Sequence, residues 1–251
     1  FFKSFGTVGD GIGPPPGNVL TGDTTILGNS ATGPVSYAGY GGGVYTEQGG
    51  PLIFANIVEG NTAYYGGGIA SRKSNPMIVE NLIGCQAAPN TALIPAGSGL
   101  GGGVYLDNKS WAAFEKDTIV HNTAIGPASQ GGGLWFTDSD FYMNLTIMAF
   151  NTANAGQEIW GNAPAAQVVL YTLCYITLSD FWPVVASEFV GISDPTVDGA
   201  PTDPCPTTTN FAVDPLFVDP STCDYHLQAG SPMRLASGDV VGAFQDEEPP
   251  V

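Results

Sequence analysis

The chain has 251 residues, 43% hydrophobic but only 12% charged, enough apolar material for a sizeable core in one large domain. Six Lys and Arg against 23 Asp and Glu give a formal charge of −17, which excludes nucleic acid and anionic membrane surfaces, since both need clustered cations. No stretch of about 18 apolar residues is present to span a bilayer, and 35 Gly with 20 Pro point to many turns.

Residues 1–28 carry no repeat signature and include Pro14-Pro15-Pro16; they are expected to form an N-terminal arm or cap. Phe1-Phe2-Lys3-Ser4 has neither an initiator Met nor a signal-peptide pattern and reads as a processed start. Phe1, Phe2 and Phe5 lack a core of their own. Two readings stay open for them. Either they fold back as the chain's own cap, or they dock on a neighbouring subunit by strand addition, a heterologous contact that propagates as a filament.

From residue 29 to 178 the chain is repetitive. Three Gly and an aliphatic residue recur at Gly41-Gly42-Gly43-Val44, Gly66-Gly67-Gly68-Ile69, Gly101-Gly102-Gly103-Val104 and Gly131-Gly132-Gly133-Leu134, with a degenerate copy at Gly156-Gln157-Glu158-Ile159. Asn-Thr-Ala alternates with them at Asn61, Asn90, Asn122 and Asn151, preceded by a weaker copy at Asn29. Each Gly block leads the next Asn-Thr-Ala by 20, 24, 21 and 20 residues, whereas the return runs 12, 5, 11, 9 and 5 residues. A fixed coil with a tolerant loop behaves in this way. Within the coil the apolar runs are short, β-branched and aromatic, such as Leu52-Ile53-Phe54 and Ile119-Val120, which predicts strands rather than helices. Val44, Ile69, Val104, Leu134 and Ile159 are equivalent apolar positions, as are Val58, Ile119 and Met148, and Ile53, Phe114 and Met143. All are expected in one narrow core. Gly at coil corners permits positive φ and close backbone approach, and stacked Asn residues hydrogen-bond in the turns.

Residues 179–251 are expected to form an irregular excursion and a C-terminal cap within the same domain. Cys205 and Cys223 bracket the start of the closing segment, and a disulfide between them suits an exported protein. Cys85 and Cys174 lie at similar points of coils three steps apart, beyond the reach of one bridge unless Cys85 loops away.

The Gly-Gly-Gly-Val-Tyr…Asn-Thr-Ala pattern resembles the repeats of right-handed parallel β-helix surface proteins of bacteria, including the polymorphic outer-membrane protein repeats. Asp214-Pro215-Leu216-Phe217-Val218-Asp219-Pro220, Asp224-Tyr225-His226-Leu227, Gly230-Ser231-Pro232 and Val241-Gly242-Ala243-Phe244 resemble the closing segment of many secreted β-helix proteins. The sequence departs from the pattern in its last Gly block and at Met233-Arg234-Leu235. The resemblance covers roughly residues 25–178 and 211–244. It implies an all-β, right-handed parallel β-helix of about five or more coils, extracellular or at a cell surface.

For function, three classes compete. A structural or adhesive solenoid, self-associating or binding surface glycans, is favoured by the scarcity of basic residues. A carbohydrate-binding module would use Tyr45, Tyr105, Trp135 and Trp160, which follow the aliphatic position and so point outward, unless they lie inward or beneath a loop. An enzyme, a polysaccharide lyase or glycoside hydrolase, needs a base among Arg72, Lys73, Lys109, Lys116 and Arg234, or paired carboxylates among Glu47, Asp107, Asp138 and Asp140. No constellation among these is recognisably catalytic. His121 reads as a turn residue, and no cofactor is implied, although the acidic positions would suit calcium. The sequons at Asn108 and Asn144 match the N-glycosylation pattern.

Overall fold

The structure is a computed structural model, and it describes residues 2–5, 19–32, 39–95, 97–162, 174–177, 179–182, 189–190, 207–208 and 210–243. Among the described residues it is all-β, with strands and one short 3-10 turn, Pro220–Thr222. Three sheets are parallel throughout. A seven-stranded front sheet runs, in chain order, through Phe2–Phe5, Val44–Glu47, Ile69–Arg72, Val104–Asp107, Leu134–Thr137, Ile159–Asn162 and Phe189–Val190. A narrow four-stranded sheet joins Ser30–Ala31, Thr62–Ala63, Thr91–Leu93 and Thr123–Ile125, again in chain order. The third has eleven strands and bends at a corner, so that Leu52–Glu59 pairs with Met77–Val79 before the bend and Leu82–Ile83 after it.

The registers equate the positions expected from sequence. Val44 pairs with Ile69, Ile69 with Val104, Val104 with Leu134 and Leu134 with Ile159. Ile53 aligns with Ile78, Phe114 and Met143, and Val58 with Ile83, Ile119 and Met148. These rows form one cluster in which every side chain is almost fully enclosed. Residues 84–89 loop outward, so Ile83 rather than Ala87 takes the core position ahead of Asn90.

Polar side chains fix the corners between strands. Asn29, Asn61, Asn90, Asn122 and Asn151 form a buried ladder in which each Nδ2 donates to the next Oδ1, at 3.0 Å in each step. The same Oδ1 atoms accept backbone N–H groups, from Asn61 to Asn90 at 3.1 Å and from Asn122 to Asn151 at 2.8 Å. Each amide also donates to the strand before it: Asn90 to Val58, Asn122 to Ile83 and Asn151 to Ile119. The third Gly of each block makes room for this ladder. A Cβ at Gly43, Gly68, Gly103 or Gly133 would lie 2.9–3.0 Å from the Asn Nδ2 beside it. In the degenerate block, Glu158 stands at that Gly position, and its carboxylate ends the ladder by accepting both the N–H and the Nδ2 of Asn151. Two Gly become dispensable where the Asn ladder stops.

Two further ladders lie at the other corners. One is a series of mixed residue types that starts at Asn56; Asn81, Asp117, Thr146, Ser179 and Asn210 each receive the backbone N–H of the residue before them in the series. At the third corner Ser110 receives the N–H of Ser74, and Ser139 that of Ser110. Immediately before many ladder residues the backbone is left-handed: Ala55, Glu80, Lys116 and Leu145 at one corner, His121 and Phe150 at another, Lys73, Lys109 and Asp138 at the third. Such residues are strained by roughly 1–2 kcal/mol each, which the ladder bonds offset.

At the N-terminus Phe2–Phe5 pairs in parallel with Val44–Glu47, and Val19–Leu27 with Leu52–Glu59, so these residues extend this chain's own sheets. Backbone pairing requires no motif, which is why the segment looked featureless. Phe1 and the side chains of Phe2 and Phe5 lie outside the described residues. Residues 211–243 form a flap along the flank of the bent sheet, where Phe217, Tyr225, Leu227, Met233 and Val241 bury Leu82, Val120, Ile147 and Ala149. Gly242 donates to the Leu145 carbonyl at 2.7 Å, and Ala243 to Thr118 Oγ1 at 2.9 Å.

Asn122→Ala strands the Ile83 carbonyl and removes two amide contacts in the middle of the ladder. It is expected to cost about 2–4 kcal/mol in urea unfolding, from one or two orphaned buried groups, whereas removing the exposed Asn108 amide costs under about 0.5 kcal/mol.

Candidate functional site

Tyr45, Tyr105 and Trp135 do point away from the main core, as alternation in the front sheet requires. They are not exposed, however: they are 1%, 5% and 7% accessible. The residues just before each Gly block form a bridge ladder of their own, Tyr40, Tyr65, Leu100, Gln130 and Ala155, and Tyr40, Tyr65 and Leu100 pack over the rings with the half-buried Trp160. The Tyr105 and Trp135 rings are parallel within 3° at 4.6 Å, and Trp135 and Trp160 within 2° at 5.4 Å. Both faces of Trp135 are therefore covered by aromatic neighbours, and its Nε1 donates to Gln130 Oε1 at 3.1 Å. The alternative that the rings lie under a second layer holds; a free ladder of ring faces for sugar stacking does not.

At one end of this stack sits a charged rim. Glu47, Arg72 and Asp107 are successive register partners in the front sheet. Arg72 Nε donates to both Asp107 oxygens at 3.0 and 3.1 Å, Tyr105 OH donates to Asp107 Oδ2 at 3.2 Å, and the guanidinium lies 4.8 Å from the Tyr40 ring centre. Burial pushes the Asp107 carboxyl up, and Arg72 partly opposes this. Burial also raises the Tyr45 and Tyr105 phenols, so both stay neutral. The rim is a closed ion pair between neighbouring strands.

The remaining candidates do not assemble into a site. Lys73, Lys109, Lys116 and Asp138 are left-handed corner residues, and Asp140 belongs to the bent sheet, opposite Trp111. Arg234 Nη2 donates to the Leu227 carbonyl inside the flap. His121 is a corner residue, as expected; it stacks on Phe150 at 4.9 Å, and burial lowers its pKa. Asn108 is exposed at a corner, whereas the second sequon places Thr146 in a buried ladder. Sequence reasoning missed Trp111, 43% accessible on the bent sheet, because it falls outside the Gly and Asn motifs. The signal was the eight-residue offset from Asn-Thr-Ala, which marks Phe114 as inward and so Trp111 and Ala113 as outward.

Cys223 bonds Cys85 and not Cys205, with a Cα–Cα distance of 5.4 Å. The outward loop after Leu82–Ile83 carries Cys85 to the flap, and Gln86 N donates to Tyr225 OH beside it at 3.0 Å. Cys205 and the Cys174 side chain lie outside the described residues. Among the described residues one group, Glu59, Cys85 and Cys223, has metal-ligand spacing, and it contains this disulfide. No described helix is long and apolar enough to cross a membrane. The chain matches no protein-family model, no curated protein and no solved structure.

Two predictions concern the flap. Cys223→Ser is expected to lower stability by a few kcal/mol, since about 4–5 kcal/mol follows from closing so long a loop, and Cys205→Ser leaves the Cys85–Cys223 bond intact in non-reducing peptide maps. Asp180, in the strand Asp180–Trp182 that pairs with Phe211 and accepts the Val213 N–H, is pushed up to about 7 by burial. An unfolded Asp titrates near 3.9, so the folded protein holds this proton more tightly, and stability falls as pH rises from about 4 to 7. Asp180→Asn is expected to raise the neutral-pH stability by ~2 kcal/mol and to flatten that part of the pH profile; equal profiles for both proteins would refute the assignment.

Proposed function

We propose that this chain is an extracellular structural or adhesive protein whose sheets wind as a right-handed parallel β-helix. The observation that carries the reading is the unbroken in-register stacking: front-sheet strands from Phe2–Phe5 to Phe189–Val190 follow in chain order, with polar ladders at the corners. Such a stack uses nearly every conspicuous side chain to hold neighbouring passes together. Its Arg is ion-paired, its aromatic column is covered, and its acids are dispersed. The disulfide supports an oxidising compartment. Work of this kind is done by shape and surface.

Glycan binding is the second reading, and Trp111 favours it. This exposed ring lies beside Asp140 on the outer face of the bent sheet, near half-buried Tyr142 and exposed Met77. An apolar ring flanked by the Asp140 carboxylate and by the Asn75 amide, whose Oδ1 accepts the Trp111 main-chain N–H at 3.2 Å, matches the two sides of a neutral sugar.

Small-angle scattering is expected to give a rod-like particle, and incubation with polysaccharides to release no reducing ends; release of reducing ends would make the protein an enzyme. On glycan arrays or surface-coated cells, Trp111→Ala is expected to weaken retention at least tenfold without changing the melting temperature if sugars are the adhesive partner, and to leave it unchanged if adhesion runs through protein contacts.

A further inference from the structure

Three elements meet at the lower margin of the flap. Glu59 ends the Leu52–Glu59 strand, Cys85 stands on the outward loop after Leu82–Ile83, and Cys223 follows the 3-10 turn of the flap in a left-handed conformation. A carboxylate oxygen of Glu59 and the two sulfurs all lie within 4.8 Å of one another. Cys85 is fully buried, while Glu59 and Cys223 are half-buried and reachable by small solutes. This acid is half-buried beside the two sulfurs.

We propose that the reduced protein binds one thiophilic divalent ion, Zn2+ by preference, between the Cys85 and Cys223 thiolates and the Glu59 carboxylate. The clamp that fastens the flap then exists in two chemical forms, a disulfide under oxidising conditions and a metal bridge under reducing ones. The balance is simple. A dithiol or phosphine supplies two electrons, the S–S bond breaks, and two protons complete two thiols; each thiol releases its proton as the sulfur takes the metal. In a tetrahedral set donors about 2.0–2.3 Å from the ion lie roughly 3.3–3.8 Å apart, so the sulfurs must separate once the disulfide is reduced, while the Glu59 oxygen already lies within 4.8 Å of both. Water completes a tetrahedral set. Two thiolates select Zn2+ over calcium, which takes only oxygen ligands. The Tyr225–Gln86 hydrogen bond holds the two cysteine-bearing segments together when the covalent bond is absent.

The test uses the full chain with Cys174 and Cys205 replaced by Ser, reduced with a phosphine under anaerobic conditions and titrated with Co2+. The expected result is a sulfur-to-cobalt charge-transfer absorption that saturates at one equivalent and disappears on adding Zn2+. Glu59→Gln is expected to weaken apparent affinity at least tenfold, and Zn2+ to protect residues 211–243 from proteolysis in the reduced protein as the disulfide does in the oxidised one. In the same background the band is lost on Cys85→Ser. Absence of the band in reduced protein that keeps its β-type far-ultraviolet spectrum overturns the proposal, as does unchanged affinity in Glu59→Gln.

Discussion

The fold depends on one interaction: a buried side-chain oxygen that accepts a main-chain N–H at the corners between strands. A parallel strand pair satisfies the backbone along its length but leaves the corners open, and a corner donor with no water and no acceptor costs about 1–3 kcal/mol. The Asn ladder removes that cost at one corner while donating back to the preceding strand, so one residue type meets donors and acceptors at once. Because the amides all point the same way, each bond polarises the next in a low-dielectric interior. The carboxylate of Glu158 accepts the last two donors of the series.

Other features follow from that constraint. At most ladder positions the backbone reverses just before the inward residue, Asn90 after Pro89 being an exception, and this explains left-handed Ala55, Leu145 and Phe150, residues that otherwise avoid such φ. The third Gly of each block follows from the room the amide needs, since even a methyl group on Gly103 would press on Asn122. The aromatic column has a different cause. Outward positions of the front sheet repeat at strand spacing, and flat rings at that spacing satisfy one another, so Tyr105, Trp135 and Trp160 form a second, drier seam outside the main core.

Much of this was legible in the sequence because it repeats. The equivalence of Val44, Ile69, Val104, Leu134 and Ile159, the inward row ending in Met148, and the pairing of Gly and Asn motifs could be read from spacing alone. The second ladder could not, since Asn81, Asp117, Thr146 and Ser179 share a geometric task and not a residue type: any short side chain with an acceptor oxygen serves. Burial of the aromatic column was hidden for another reason. Alternation gives the direction of a side chain, not what lies over it, and the covering residues Tyr40, Tyr65 and Leu100 differ from coil to coil. The disulfide was misassigned because the outward loop at Cys85 brings together residues 138 positions apart, a proximity that no local spacing encodes.

The covalent bond between Cys85 and Cys223 also sets how the molecule bears mechanical load. If tension is applied through the two ends of the chain, force reaching residue 85 crosses the sulfur–sulfur bond to residue 223 and bypasses the 138-residue span between them. The rows from Val104 to Phe181, the Asn ladder from Asn90 onward and the rings of Tyr105, Trp135 and Trp160 lie inside that shielded loop. Only the passes before Cys85 and the tail after Cys223 are free to lengthen under pull. A chain pulled at both ends yields first in the residues before Cys85 and after Cys223, and the covalent stop then holds before the strands between them carry strain.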